Sequence, residues 1–275
     1  MYKPYNPVLR TPPDEKKLWR YVDLSQFLSL LSRRALYFAN LAEFDDLWEG
    51  ALPAGSTVGL IRTFAKVLGE DGTDADAIVA ARPESFMLRM FKEVLKSAQG
   101  IYGVNCWHCN EVESVAMWKL YTNGKDGVAI QSTVGRLKAC LSHEPRNVFI
   151  AKVQYLDHHA EPTEESISHD ALLPLITKRR SFTHESEVRL LLDRRPNEFV
   201  EVPELRRSVS GESVAVDLPG LVERIVASPD YPQWAIESLQ KQVTAAGLHI
   251  TVETSDLLRK PEVSTPYPDE DLDID

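Results

Sequence analysis

Long apolar runs, glycine-rich loops, cysteine pairs and basic charge are all in short supply in this 275-residue chain. No stretch approaches the ~20 apolar residues of a membrane-spanning helix. Met1-Tyr-Lys-Pro also lacks the apolar core of a secretory signal. Three cysteines, Cys106, Cys109 and Cys140, are an odd number in a chain this long. That argues against a disulfide framework and for a reducing, cytoplasmic setting. Lys and Arg number 31 against 41 Asp and Glu, a net charge of −10, so a general nucleic-acid-binding surface is not expected. Part of that excess is local, because Asp269–Asp275 holds five acids and no base. No glycine-rich phosphate loop is present and no Gly-x-Ser-x-Gly elbow, so P-loop, dinucleotide-fold and serine-hydrolase chemistries have no local support.

With 43% hydrophobic residues there is material for a sizeable core. Residues 1–17 are rich in proline and read as an irregular lead-in. Residues 18–256 read as one domain, and 257–275 as an acidic, disordered tail. Strands are expected at Leu18–Val22, Ala35–Ala39, Ile101–Cys106, Gly127–Ser132 and Asn147–Tyr155, then in a strand-rich stretch after Leu192. Asp23 is placed to cap a helix over Leu24–Arg33. Further helices are expected at Glu113–Tyr121, Val134–Leu141, Ala171–Arg180 and Trp234–Ala246, with a helical insertion over residues 51–100. Eight or nine strands with scattered helices predict an α+β fold: a single mixed, largely antiparallel sheet rather than regular βαβ repeats.

The stretch Lys178–Leu192, KRRSFTHESEVRLLL, carries the strongest pattern. Read as a strand from Ser186, it puts Val188, Leu190 and Leu192 on one face, and Glu185, Glu187 and Arg189 on the other. Two carboxylates that close repel unless a cation or donor faces them. The row is therefore either the wall of a cleft or the solvated face of an edge strand. Asp45, Asp46 and Glu49 crowd into Asn40–Gly50 in the same way. There an aspartate can cap a turn while Glu49 pairs with Arg20 or Arg189, or the acids can line the cleft. Cys106-Trp-His108-Cys109 looks like half a zinc site but has no second half, so buried thiols at a strand end are the expectation and no metal ligand is assigned.

The segments LWRYVD…FLSLLSRRALYFANLAEFDDLWEG, NCWHCNEVESVAMWKLYTNGKDGVAI and KRRSFTHESEVRLL together resemble the bacterial domain of unknown function 2971, over about residues 18 to 230. Phe44, Asp45, Asp46, Glu49, Met117, Trp118, Tyr121, Gly127, Lys178, Glu185, Glu187 and Arg189 fall on its motif positions, with Leu47 where that family commonly has proline. The resemblance implies a setting in defence or toxin loci, with a cognate antitoxin or defence partner, and supplies no reaction. A second set resembles the arginine–serine–glutamate pattern of ADP-ribosyltransferases: Arg20 on the first strand, Ser132 and Thr133 at a later strand end, then Glu185-Ser-Glu187. That resemblance implies NAD as substrate, with Arg20 on the diphosphate and Ser132 positioning the ribose. Glu187, with Glu185, would stabilise an oxocarbenium-like charge. Tyr37, Phe38, Trp118 or Tyr121 would wall the nicotinamide. Two other readings stand beside it: a metal-dependent nuclease or hydrolase using Asp45, Asp46, Glu49 and Glu187, and a non-catalytic sensing or interaction domain whose charged row is an ion-pair network.

Overall fold

The computed structural model describes residues 9–41, 44, 46, 48–51, 100–122, 126–158, 172–195 and 211–259. Residues 1–8 of the lead-in, residues 52–99 of the expected helical insertion, Asp45 and the acidic tail beyond residue 259 lie outside the described residues.

Two apolar pairs, Leu18-Trp19 and Tyr21-Val22 on either side of Arg20, build β1 (Lys17–Asp23), which is buried on both faces. Asp23 then ends the strand and starts α1 (Leu24–Arg33), its Oδ1 accepting the Gln26 amide at 2.7 Å in a capping box. The helix stops at Arg34, in a left-handed conformation, and feeds β2 (Ala35–Asn40). After the undescribed stretch come β3 (Tyr102–Cys109), α2 (Val115–Tyr121), β4 (Gly127–Thr133), α3 (Val134–Cys140) and β5 (Val148–Lys152). Then follow β6 (Gln154–Leu156), β7 (Thr177–Arg179), β8 (Glu187–Asp193), β9 (Glu212–Ala215), α4 (Leu218–Leu221), β10 (Arg224–Ala227), α5 (Gln233–Ala245) and β11 (Val252–Thr254).

Nine strands form one sheet in the order β11-β10-β4-β1-β3-β2-β9, with β8 also on β3 and β5 on β8. Within it only β10–β11 runs parallel, while β6–β7 makes a separate parallel pair. The fold is thus α+β on a mixed, mostly antiparallel sheet, as the element pattern predicts. One face of the sheet carries the main core, where Leu18, Val22, Trp107, Val188 and Leu190 meet Phe27 of α1, Leu137 of α3 and Val243 of α5. Among the described residues no helix is long and apolar enough to cross a membrane.

β3 positions the site. Along one edge it pairs with β8, from Tyr102 opposite Asp193 to His108 opposite Glu187. Its other edge is divided. β1 pairs at His108 and Cys109, whereas β2 pairs at Gly103 and Val104. Between those contacts the sheet forks, and side chains take over the main-chain groups. Arg20 Nη1 donates to the Cys106 carbonyl at 2.9 Å, and Asn105 Nδ2 donates to the Tyr37 carbonyl at 2.8 Å.

Several boundaries differ from the sequence reading, each for a local reason. The expected helix at Ala171–Arg180 is a 3₁₀ turn over Leu173–Ile176 followed by β7, because Thr177 and Lys178 pair with Gln154 and Tyr155. β8 starts one residue later than expected. Arg180–Glu185 forms a second 3₁₀ turn, and Ser186 sits at φ 39°, so Glu185 belongs to a turn and not to the strand. The strand expected over Asn147–Tyr155 breaks at Val153, whose amide turns to the Glu187 carbonyl. In the strand-rich stretch after Leu192, a short helix, α4, with Pro219 in its first turn, lies between β9 and β10.

Candidate functional site

Residues directly opposite in an antiparallel ladder share a face. The registers therefore put Trp19, Cys106, His108, Glu187 and Arg189 on the face away from the main core. Two small apolar clusters cover its ends. Tyr21, Met117, Trp118 and Ala129 join Trp19 at one, while Leu41, Val104, Leu175 and Leu191 meet at the other. The charged residues lie between.

Arg189 is fully buried. Its Nε donates to Glu187 Oε1 at 2.7 Å, its Nη1 to the Leu175 carbonyl at 2.8 Å, and its Nη2 lies 2.5 Å from Glu49 Oε1. Lys178 Nζ lies 2.6 Å from Glu185 Oε2, 3.1 Å from Glu187 Oε2 and 3.8 Å from Glu49 Oε2. Three carboxylates thus share two cations in a water-poor pocket of the sheet, where unpaired charge would be costly. Burial alone pushes the Glu187 carboxyl up, but Arg189 and Lys178 outweigh it and bring it down to about 2. Burial likewise pushes the Lys178 ammonium down, and the Glu187 and Glu49 charges more than reverse that. Glu49 is the weak member: burial raises its carboxyl despite Arg189 and Lys178. The Cys106 thiol is raised well above its usual range by burial and so stays protonated. The Glu187 amide donates to Tyr155 Oη at 2.8 Å.

Beside this network the fork opens into a cleft of about 360 Å³, lined by Arg20, Tyr21, Tyr37, His108, Tyr121, Glu185 and Glu187 among others. Tyr121 at the end of α2 donates its hydroxyl to Glu185 Oε1 at 3.3 Å. Tyr37 and Tyr121 stand at the mouth, 47% and 48% exposed. Arg20 lies on the Leu18 and Val22 face of β1 and lines the cleft at the fork, half-buried, with the Cys106 carbonyl as its partner and no carboxylate within ion-pair distance among the described residues. Burial lowers its pKa, yet a guanidinium remains charged near neutrality. The cleft lining thus combines two carboxylates with a guanidinium that has no carboxylate partner among the described residues.

The sequence-predicted residues divide accordingly. Arg20, Tyr37, Tyr121, Glu185 and Glu187 meet in one cleft. Lys178, Arg189 and Glu49 sit behind it as the counter-charges of the glutamates. Asp46 serves elsewhere: its Oδ1 accepts the Trp48 amide at 3.1 Å and pairs with Arg179 at 2.7 Å. Two expectations need correction. Ser132 does not reach the cleft, because β4 turns its hydroxyl to the Leu221 carbonyl at 2.6 Å on the core side. Trp118 does not wall it either. Its ring packs edge-on against Tyr21 at 4.9 Å, and its Nε1 donates to Glu113. Phe38 is core.

Among the described residues the geometry assembles no metal centre, and Asp45, a further acid of that reading, lies outside them. Glu49, Glu185 and Glu187 do converge, but around the Lys178 ammonium and the Arg189 guanidinium, and no metal-holding group of three His, Cys, Asp or Glu occurs among the described residues. Cys106 and His108 share the site face, whereas Cys109 packs against the main core. The Cys-Trp-His-Cys run therefore cannot close on one ion from a straight strand. His108 is the member that sequence reasoning missed. Its Nδ1 lies 2.6 Å from the Glu185 carbonyl, an oxygen that can only accept, so Nδ1 carries the hydrogen. The signal that could have found it was its place opposite Glu187 on neighbouring strands. No protein-family model and no curated protein matches the chain.

Proposed function

We propose that the forked cleft binds NAD and breaks its nicotinamide–ribose bond, passing the ADP-ribosyl group to an acceptor. The observation that carries this reading is Arg20, a desolvated guanidinium without a carboxylate partner among the described residues, lining the same cleft as Glu185 and Glu187. An anion-holding cation in one cleft with a carboxylate pair suits a ligand with phosphates at one end and a cationic ring at the other. In the reaction the C1′–N bond breaks and its electron pair passes to the nicotinamide nitrogen, leaving that ring neutral. Positive charge develops on the ribose and is stabilised by a carboxylate before the acceptor bonds to C1′. Glu185 suits that contact, since it sits at the mouth under Tyr121. Glu187, kept ionised by Arg189 and Lys178, suits a positioning role behind it. Tyr37 and Tyr121 are placed for stacking on a ring. A role as a defence or toxin effector restrained by a cognate antitoxin fits the motif resemblance.

A competing reading, a non-catalytic interaction domain, draws on one observation: Glu187 is already saturated by two cations. Incubation of the protein with labelled NAD and cell lysate decides between them. Transfer or NAD loss in the wild type, reduced in Glu185→Gln and Glu187→Gln, supports the transferase. No label transfer and no NAD loss in the wild type sinks it.

A further inference from the structure

Beyond Arg20 the cleft continues into a second chamber of about 570 Å³. Its polar lining is Arg20, Ser25, Gln26, Ser29, Arg33 and Ser213, with no Asp or Glu among the described residues. In a chain of net charge −10 a cavity with two arginines and no acid is a local reversal of sign. Arg179, Arg189, Arg194, Arg195 and Arg224 all pair with carboxylates. Arg20 and Arg33 have no such partner among the described residues. The Ser25 hydroxyl is committed to Asp23 Oδ1 at 2.7 Å, while those of Ser29 and Ser213 remain as donors.

The spacing says more than the charge. Ser25, Ser29 and Arg33 recur every four residues and so run down one face of α1. Eight residues at 1.5 Å each put about 12 Å between the first and the last. Arg20 stands on β1, just ahead of the first turn of that helix, and Arg33 lies in its last turn. The two cations therefore mark opposite ends of an elongated chamber rather than a clamp on one group. Tyr37 closes the side, packed over Gly211, where any Cβ would collide with its ring.

We infer that this chamber binds a phosphate monoester at Arg33, supported by the Ser29 and Ser213 hydroxyls, while a second anionic group of the same ligand is held at Arg20. A monoester near neutrality carries close to two charges and three acceptor oxygens, and arginine meets these with paired N–H donors. Resting on the function proposed above, the monoester is the 2′-phosphate of a dinucleotide, so NADP is preferred over NAD.

Calorimetry with adenosine 2′,5′-bisphosphate and with adenosine 5′-monophosphate tests the chamber without involving the glutamates. The wild type is expected to bind the bisphosphate at least ~10-fold more tightly. Arg33→Gln, at an exposed helix end where folding is little affected, is expected to bring the two probes to parity. Ser29→Ala is expected to weaken the bisphosphate alone. Equal binding of the two probes by the wild type, an unchanged ratio in Arg33→Gln, or no binding of either overturns the inference. A parallel turnover assay with NADP and NAD separates the two claims. Bisphosphate binding without turnover of either dinucleotide leaves the chamber standing and removes the transferase reading. Turnover with no preference for the 2′-phosphate removes the chamber alone.

Discussion

His108 donates its Nδ1 hydrogen to the main-chain carbonyl of Glu185 across 2.6 Å, and so ties β3 to the turn that delivers the outermost glutamate. The turn needs that tie. Ser186 follows Glu185 at φ 39°, a conformation costly for a residue with a Cβ, and it persists only where its surroundings hold it. Burial also lowers the His108 pKa, which keeps the ring neutral around pH 7.

Removing this donor should therefore loosen the turn. His108→Ala is expected to cost about 1–3 kcal/mol, the penalty for an orphaned buried polar group plus lost packing, read as a shift in urea midpoint. His108→Asn keeps a donor near the Nδ1 position and should recover part of the loss. If Ala and Asn destabilise equally, the hydrogen bond does not hold the turn.

Glu187→Gln tests the counter-ion arrangement. The amide keeps the shape but leaves Arg189 and Lys178 sharing two carboxylates instead of three. Breaking a buried pair from one side costs of the order of 3–5 kcal/mol. Because Glu49 and Glu185 remain, a loss at or below the lower end is expected in chemical denaturation. A neutral or stabilised variant would show that the network is not held together by charge.

The pH dependence has a definite sign. The Glu187 pKa falls on folding from its ordinary value of 4.5 to about 2, so its contribution is fully present above about pH 4.5 and is lost as pH drops toward 2. His108, lowered from 6.5, acts in the same direction from a higher pH, because the unfolded chain takes up that proton first. Glu49, raised from 4.5, acts in the opposite direction above pH 4.5. Denaturation series between pH 3 and 8 should show the acid-side loss reduced in Glu187→Gln. An unchanged slope would mean that another carboxylate carries it.

Much of the frame could be read in the sequence because it rests on local rules. Asp23 caps α1 where a capping side chain belongs, β2 follows alternating burial, and β1 and β4 are short apolar runs buried on both faces. That Glu49 could pair with Arg20 or Arg189 was legible too, since an acid near a buried strand needs a cation, and Arg189 is the one that pairs. Glu185 was misplaced on the strand because a left-handed serine leaves no mark in a periodic pattern. Ser132 was misassigned for a different reason: its position in a motif says nothing about which face of β4 it occupies. The divided edge of β3 was not readable at all. It arises from two strands, near each other in sequence but far from β3, dividing one edge of it between them.

Ser132→Ala separates motif from geometry. Its hydroxyl serves the Leu221 carbonyl, so the expected result is a loss of about 1 kcal/mol in stability with any NAD consumption unchanged at a temperature where the variant stays folded. A large fall in turnover with unaltered stability would return Ser132 to the cleft.

Arg20 offers the opposite contrast. Its guanidinium supports the fold only through the Cys106 carbonyl, and burial already works against its charge. Arg20→Gln can keep a donor to that carbonyl while removing the cation, so stability should change by less than about 1 kcal/mol. Binding should change far more. A charged hydrogen bond to phosphate contributes about 1.5–3 kcal/mol, which corresponds to a roughly 10- to 150-fold weaker dissociation constant. Arg20→Lys keeps the charge but not the fork of donors, and should fall between the two. Calorimetric titration with NAD alongside urea denaturation measures both quantities on the same three proteins. Equal affinities across them would mean that the cleft does not hold its ligand by an anion. A stability loss matching the affinity loss would mean that Arg20 closes the fork in β3 rather than serving a ligand.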